Sequence, residues 1–386
     1  MINGVVITDG RAITYAGPAT GAPETPDVAV HRVETVMPGM WDCHAHFIGV
    51  TGPNLEDVLK LSPATAAVRT IADAQRALMA GFTSIREVGG LGVDLAVAID
   101  EGAAVGPSIY GSGGVLSQTG GHADIHAFPL DFVMTHPFLA VCDGVPEVLK
   151  TVRSQLRRNA KVIKVCASGG VMSEIDHPIH QQFSDEELRA IVEEAARSER
   201  VVAAHCHGKP GIMAALRAGV KTIEHGSYLD GEAAEAMVEA GAVLVPTRSV
   251  IEQLLGMESA MPAYAYRKAV AVADQHSLAI KTAITTGVTI ATGTDFFVSP
   301  GLWGMNGLEL KHMVEHGMTP IQAIEAATAN GPLTLGPQAP DAGVLTAGFD
   351  ADVIAVDGNP LDDISVLVGP DHVSHVWRHG DLVKSP

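Results

Sequence analysis

The chain has 386 residues, of which 47% are apolar and 18% charged, and its formal net charge is −19. That composition excludes a disordered chain and allows one large domain with a small companion. The acidic balance, without a Lys/Arg cluster, argues against nucleic acid as a partner, and no apolar run reaches the roughly 18 residues that a membrane span needs.

In chain order, short strands are expected first at 5–8 and 12–16, followed by a Pro/Gly-rich turn through 17–26. The start, Met1-Ile2-Asn3-Gly4-Val5-Val6, has neither the basic n-region nor the apolar run of a signal peptide, which predicts a cytoplasmic protein. From residue 38 onward, β-rich segments alternate with helical ones. Strands are predicted at 40–46, 83–88, 108–113, 162–167, 201–205, 222–225, 242–246 and 289–294. They are near-continuously apolar, as strands covered on both faces are. Apolar spacing of three and four predicts helices at 70–80, 148–158, 185–198, 212–218, 232–240 and 264–286. Ser184 followed by Asp185, Glu186 and Glu187 reads as an N-cap with an acidic first turn. Segments 117–137 and 296–306 read as loops, and further strands are expected at 352–356 and 375–379. Neither terminal piece buries enough apolar surface alone. Residues 1–37 and 343–386 are therefore expected to pair into one composite β domain beside a catalytic domain of 38–342. The cysteines (Cys43, Cys142, Cys166 and Cys206) show neither ligand spacing nor a disulfide framework, and read as small buried side chains in a reducing compartment.

The polar residues that interrupt these strands point to the chemistry. His44-Ala45-His46 ends the first strand, and side chains at i and i+2 share a face there, so two imidazoles can converge on one metal ion. Alone, that spacing is a weak signal. Lys164, His205, His225 and Asp295 each end another apolar run. Alternation on this scale implies either a closed (β/α)8 barrel or a doubly wound open sheet. A barrel gathers all six positions around one mouth, whereas an open sheet spreads them along an edge, so the α/β reading is a barrel.

A Lys inside the strand Val162-Ile163-Lys164-Val165 is costly if charged and unpaired. It either loses its proton, becoming an amine able to form a carbamate that bridges two metals, or pairs with a strand-end carboxylate. His207, two residues past His205, either faces substrate or is a hydrogen-bonded loop residue. Arg248 offers a bidentate fork for a substrate carboxylate, or is a salt-bridged surface residue. Metal-bound water ionises near neutral pH, and Asp295 is placed to take a proton and pass it to a leaving amine. No Gly-x-Ser-x-Gly segment suggests a covalent nucleophile.

The ordered set of His44, His46, Lys164, His205, His225 and Asp295 resembles that of the metal-dependent amidohydrolase superfamily. So does the tail Leu345-Thr346-Ala347-Gly348-Phe349-Asp350-Ala351-Asp352-Val353. The resemblance covers essentially the whole chain. It implies a distorted (β/α)8 TIM barrel with a small β-sandwich domain built from both termini. It also implies two divalent metal ions, usually zinc, with His44, His46 and Asp295 on one, His205 and His225 on the other, and Lys164 bridging as N6-carboxylysine. Three stretches, Ser117-Gln118-Thr119-Gly120-Gly121-His122, Ala167-Ser168-Gly169-Gly170-Val171-Met172-Ser173 and Glu224-His225-Gly226-Ser227-Tyr228, look most like the prolidase and Xaa-Lys/Arg carboxypeptidase branch, which includes ochratoxin-hydrolysing enzymes. By that resemblance His122 and Tyr228 contact the substrate. The implied reaction is hydrolysis of an amide next to a free carboxylate, in a dipeptide, an N-acyl amino acid or an ochratoxin-like amide. The alternative on the same scaffold is a cyclic-amide, carbamate or urea hydrolase, or a deaminase. A homo-oligomer, up to an octamer, is implied as well. Arg86-Glu87 departs from the Arg-Asp of many relatives, which leaves the groups behind the metal ligands open.

Overall fold

The computed structural model describes residues 2–25 and 28–386; Met1, Pro26 and Asp27 lie outside the described residues, Pro26 ending the turn expected at 17–26. The strands in chain order are β1 (Gly4–Asp9), β2 (Ala12–Pro18), β3 (Thr35–Pro38), β4 (Met40–Val50), β5 (Phe82–Glu87), β6 (Ser108–Gly111), β7 (Val115–Ser117), β8 (Leu139–Val141), β9 (Ile163–Cys166), β10 (Val202–Cys206), β11 (Thr222–His225), β12 (Val243–Val245), β13 (Thr289–Ile290), β14 (Phe296–Val298), β15 (Val353–Val356), β16 (Val373–Arg378) and β17 (Asp381–Lys384).

Eight of these, β4–β6 and β9–β13, form a distorted parallel barrel from two arcs. Backbone bonds join the arcs at two seams. Cys43 N donates to Thr292 O at 2.8 Å and Asp295 N to His44 O at 2.6 Å on one side, and Lys161 N donates to Gly111 O at 2.8 Å on the other. Asp42, buried beneath His44, braces the first seam by accepting from Thr294 Oγ1 at 2.6 Å and Asn306 Nδ2 at 2.7 Å. The distortion comes from β14, which pairs with β4, and from β7 and β8, added beside β9. These three short strands fall where the sequence pattern predicts loop or no element. Three residues are too few for a strand period to show.

Five of the six expected helices begin one to seven residues earlier than their apolar spacing indicates. The segment expected at 70–80 is the helix Pro63–Met79, with Pro at its first turn, where the missing N–H costs nothing. Ser184 does cap the helix Asp185–Ala196, in a reciprocal capping box with Glu187. Side chains from around the barrel, among them Trp41, Cys43, Val162, Ala203, Val243, Val245 and Ala291, form one cluster with Leu335 and Ala342. This plug closes the interior below Lys164, whose side chain lies on the same strand face as Val162 two residues earlier.

The chain ends form a separate small sheet unit. β3 pairs with β15, and β15, β16 and β17 continue the sheet antiparallel. The β1–β2 ribbon inserts Ile13 against Ala351 and Val353, with Val36 and Trp377 alongside. Strands expected at 352–356 and 375–379 are thus present. No described helix is long and apolar enough to cross a membrane. All four cysteines are buried and unpaired.

Gly293, just before the seam, has no room for a side chain: a Cβ there would run into Val245 and into His44 Cβ at 2.7 Å. Gly293→Ala is expected to destabilise the fold by about 1–3 kcal/mol through overpacking. A urea titration of the variant beside the unaltered chain measures it.

Candidate metal centre

The barrel brings His44, His46, Lys164, His205, His225 and Asp295 into the lining of one cavity at the C-terminal ends of the strands. Asp295 Oδ1 lies 3.2 Å from His46 Nε2 and 3.5 Å from His44 Nε2. Potential ligand atoms of His44, His225 and Asp295 all lie within 4.8 Å of one another, and so do those of His205, His207 and His225. His225 and Asp295 both take left-handed backbone, with φ of 68° and 58°. Side chains rarely adopt that conformation, and surroundings must enforce it.

The other ring nitrogen of each histidine has its own partner. His44 Nδ1 meets Glu224 Oε2 at 2.7 Å, His46 Nδ1 donates to Gly89 O at 2.8 Å, and His225 Nδ1 meets Thr247 Oγ1 at 2.7 Å. His205 instead uses Nε2, toward Gly169 O at 3.1 Å. One nitrogen tied back and one free toward the cavity is the arrangement of metal-ligating histidines. Two further observations test the fit. Lys164 Nζ and His44 Nε2 are buried without a hydrogen-bond partner among the described residues. Buried polar atoms are rarely left so, and a divalent ion would engage them. The donor set therefore suits divalent metal.

Electrostatics agree. Burial, with the charge of Lys164 second, lowers the His44 imidazole to about 4. Burial also holds His205 and His225 well below their usual range. Those three rings are thus biased toward the neutral form, which binds metal; burial opposes charge on His46 as well, but its bond to Asp295 outweighs that and raises it. Burial opposes charge on Asp295 too, but His44 and His46 beside it outweigh that and lower it. Burial lowers Lys164 despite Glu224 nearby, so the amine is biased toward its neutral state. The carboxylate pairing open in the sequence is not made: Lys164 Nζ has no partner among the described residues, and Glu224 is bound to Arg86 and His44.

Glu224 is the functional group that the sequence reading missed. Arg86 donates through Nη2 to both its oxygens at 2.7 Å, through Nη1 to Thr222 Oγ1 at 2.8 Å and through Nε to Cys43 O at 2.5 Å. Burial would raise Glu224, but Arg86 and His44 hold it well below the carboxylate range. A second charge inside an apolar strand was the available signal, the same one that singled out Lys164. Glu87, the residue that departs from Arg-Asp, takes no part in this ion pair. It is fully buried at the end of β5, and burial raises it to about 7.

The expected substrate contacts divide. His122 and His207 line the cavity. His122 stacks on His205 with ring centroids 4.2 Å apart, and its Nδ1 meets Ser173 Oγ at 2.8 Å. Ser173 in turn bonds Asp176, whose carboxylate lies 3.3 Å from Lys268 Nζ. His207 Nδ1 meets Ser227 Oγ at 2.7 Å. Tyr228 is half-buried against the apolar cluster beside the cavity and does not line it. Arg248 corrects the expectation: its guanidinium turns away, donating to Glu252 Oε1 at 2.6 Å and Ala273 O at 2.9 Å. Its fork is filled because the helix it opens, Arg248–Leu255, brings Glu252 one turn below it.

A barrel with histidines and an acid at one mouth defines a metal-dependent hydrolase scaffold, and the comparisons agree. The amidohydrolase family model matches residues 35–383, and the chain belongs to that family. Ochratoxinase from Aspergillus niger is 46% identical over 404 aligned positions, covering 100% of this chain and 83% of that protein. Its crystal structure superposes with a TM-score of 0.94 over 100% of this chain and 92% of the other. A prolidase complexed with N-methylphosphonate-L-proline is 33% identical, with a TM-score of 0.92 and coverage of 99% and 94%. A Xaa-Pro dipeptidase with bound methionine is also 33% identical, with a TM-score of 0.87 and coverage of 98% and 94%. The chain is a hydrolase that acts on amide bonds.

Removing Glu224 leaves the Arg86 charge buried and unpaired. Glu224→Ala is expected to cost about 3–5 kcal/mol of stability, and thermal unfolding followed by circular dichroism reads the loss.

Proposed function

We propose that this protein is a binuclear metal-dependent amidohydrolase that cleaves an amide or peptide bond adjacent to a free carboxylate. What carries the reading is the convergence of six polar side chains, remote in sequence, on one cavity in which Lys164 Nζ and His44 Nε2 lack partners. In it, His44, His46 and Asp295 hold one divalent ion and His205 and His225 the other. Lys164, its neutral amine adding carbon dioxide with loss of a proton to become N6-carboxylysine, would serve as an anionic ligand to both. Zinc is the proposed metal; such ions polarise a scissile carbonyl and make water acidic enough to supply a nucleophile at neutral pH.

Asp295 takes the proton of the attacking water and delivers it to the leaving amine. Its carboxylate, held low by the two imidazoles, is ionised and ready to accept it. His122 and His207 stand at the cavity wall as neutral hydrogen-bonding groups, lowered by burial to about 4 and about 3. The rest of the wall is apolar, including Ile48, Val58, Phe138, Met172, Ile251 and Leu254. This favours a substrate with a bulky apolar group, such as an N-acyl amino acid or an ochratoxin-like amide, over a dipeptide with a charged side chain. The A. niger ochratoxinase similarity supports the same choice. With Arg248 engaged elsewhere and Tyr228 outside the cavity lining, His122 and His207 take the carboxylate contact. The reading also places the chemistry in residues 38–342 and a scaffold role in residues 1–37 with 343–386. It includes a cytoplasmic homo-oligomer, up to an octamer.

Protein prepared with zinc and bicarbonate is expected to carry about two divalent ions per chain. It should release a free amino acid, not ammonia, from N-acyl amino acids. Asp295→Asn should lower kcat by about 10²–10⁴-fold and His44→Ala should abolish turnover, both with an unchanged far-UV spectrum. Full activity in chelator-stripped protein refutes the proposal.

A further inference from the structure

Thr247 follows β12 at φ 56° and ψ 46°, left-handed backbone that a β-branched residue adopts only when its surroundings impose it. By position it is the N-cap of the helix Arg248–Leu255, yet its side chain makes no capping bond. A Thr hydroxyl at an N-cap ordinarily takes one of the first free N–H groups. Here the hydroxyl meets His225 Nδ1 at 2.7 Å instead.

The capping is done from another element. Glu309, in the helix Leu308–Glu315 and fully buried, accepts from Arg248 N and Ser249 N, each at 2.8 Å, and from Ser249 Oγ at 2.6 Å. A carboxylate at a helix N-terminus is favourable whatever else it does. A cap alone does not account for a Thr already in place with its hydroxyl directed elsewhere. The preceding residue is held as well, with Pro246 O 2.7 Å from His276 Nε2. Thr247 is thus fixed from both sides.

We propose that Glu309 is a positioning residue for the metal centre: by taking the helix N–H groups it frees the Thr247 hydroxyl for His225 Nδ1, which leaves Nε2 as the nitrogen offered to metal. Glu309 acts through Thr247. The proposal rests on His225 being a metal ligand, as the functional reading above has it.

Zinc release from the zinc-loaded chain by chelator competition tests it, with Thr247→Val, Glu309→Gln and the double variant beside the unaltered chain. Each single variant should weaken one of the two zinc ions by about 10–100-fold and leave the other unchanged. The double variant should be no weaker than the weaker single one, because both act through one hydrogen bond. Thr247→Ser should restore unaltered affinity. If Glu309→Gln does not fold, Glu309→Asp, which keeps the charge but withdraws the carboxylate, should weaken the same ion. Glu309 variants that hold both ions normally while Thr247→Val loses one overturn the proposal, as do losses that simply add. An unaltered chain that binds no zinc, or a Thr247→Val that loses none, instead overturns the metal reading of His225, and this proposal with it.

Discussion

The buried ion pair between Arg86 and Glu224 is the constraint on which the site depends. β5 and β11 are not neighbours in the sheet, so this pair crosses the barrel interior. Both side chains are wholly shielded from water. Two charges removed from water are stable together only if nearly every donor and acceptor is met. Here Cys43 O, Thr222 Oγ1 and both Glu224 oxygens meet the guanidinium, and one of those oxygens, Oε2, also meets His44 Nδ1. A pair of this kind adds little to stability. What it contributes is geometry: three strands must keep their register for the bonds to form, and His44 is aimed as a consequence.

The same logic recurs around the cavity. Gly89 O fixes His46, Thr247 fixes His225, and Gly169 O fixes His205. Each contact comes from a loop after a neighbouring strand or from the next strand end, so the imidazoles are oriented by the barrel's closure and not by their own local sequence. Positive φ at His225, Thr247 and Asp295 reflects the cost of turning strand ends inward. The packed barrel bears that strain where the chemistry is expected.

The cavity combines neutral imidazoles with an apolar wall, and each feature reinforces the other. An apolar wall raises the cost of any unpaired charge, which holds His44, His205 and His225 low and biases Lys164 toward its amine. On the proposed function, the same wall would disfavour charged substrate side chains. In the proposed function, metal binding and a preference for an apolar substrate would both follow from that apolar lining.

Much of this was legible in the chain itself. Apolar runs ending in His44, His46, Lys164, His205, His225 and Asp295 determine both the alternation of strand and helix and which polar groups share one rim, because a parallel barrel puts every strand's C-terminal end on the same side. Short strands such as β7, β8 and β14 were not legible, since three residues carry no periodicity. Nor was the direction of Arg248, which fits a substrate role by residue type and position but is taken by Glu252 and Ala273. The supports of the imidazoles, Glu224 for His44 and, as proposed, Glu309 by way of Thr247 for His225, come from elements far away in the sequence. Which acceptor meets which donor across a packed interior depends on register and approach, and only the folded barrel decides that.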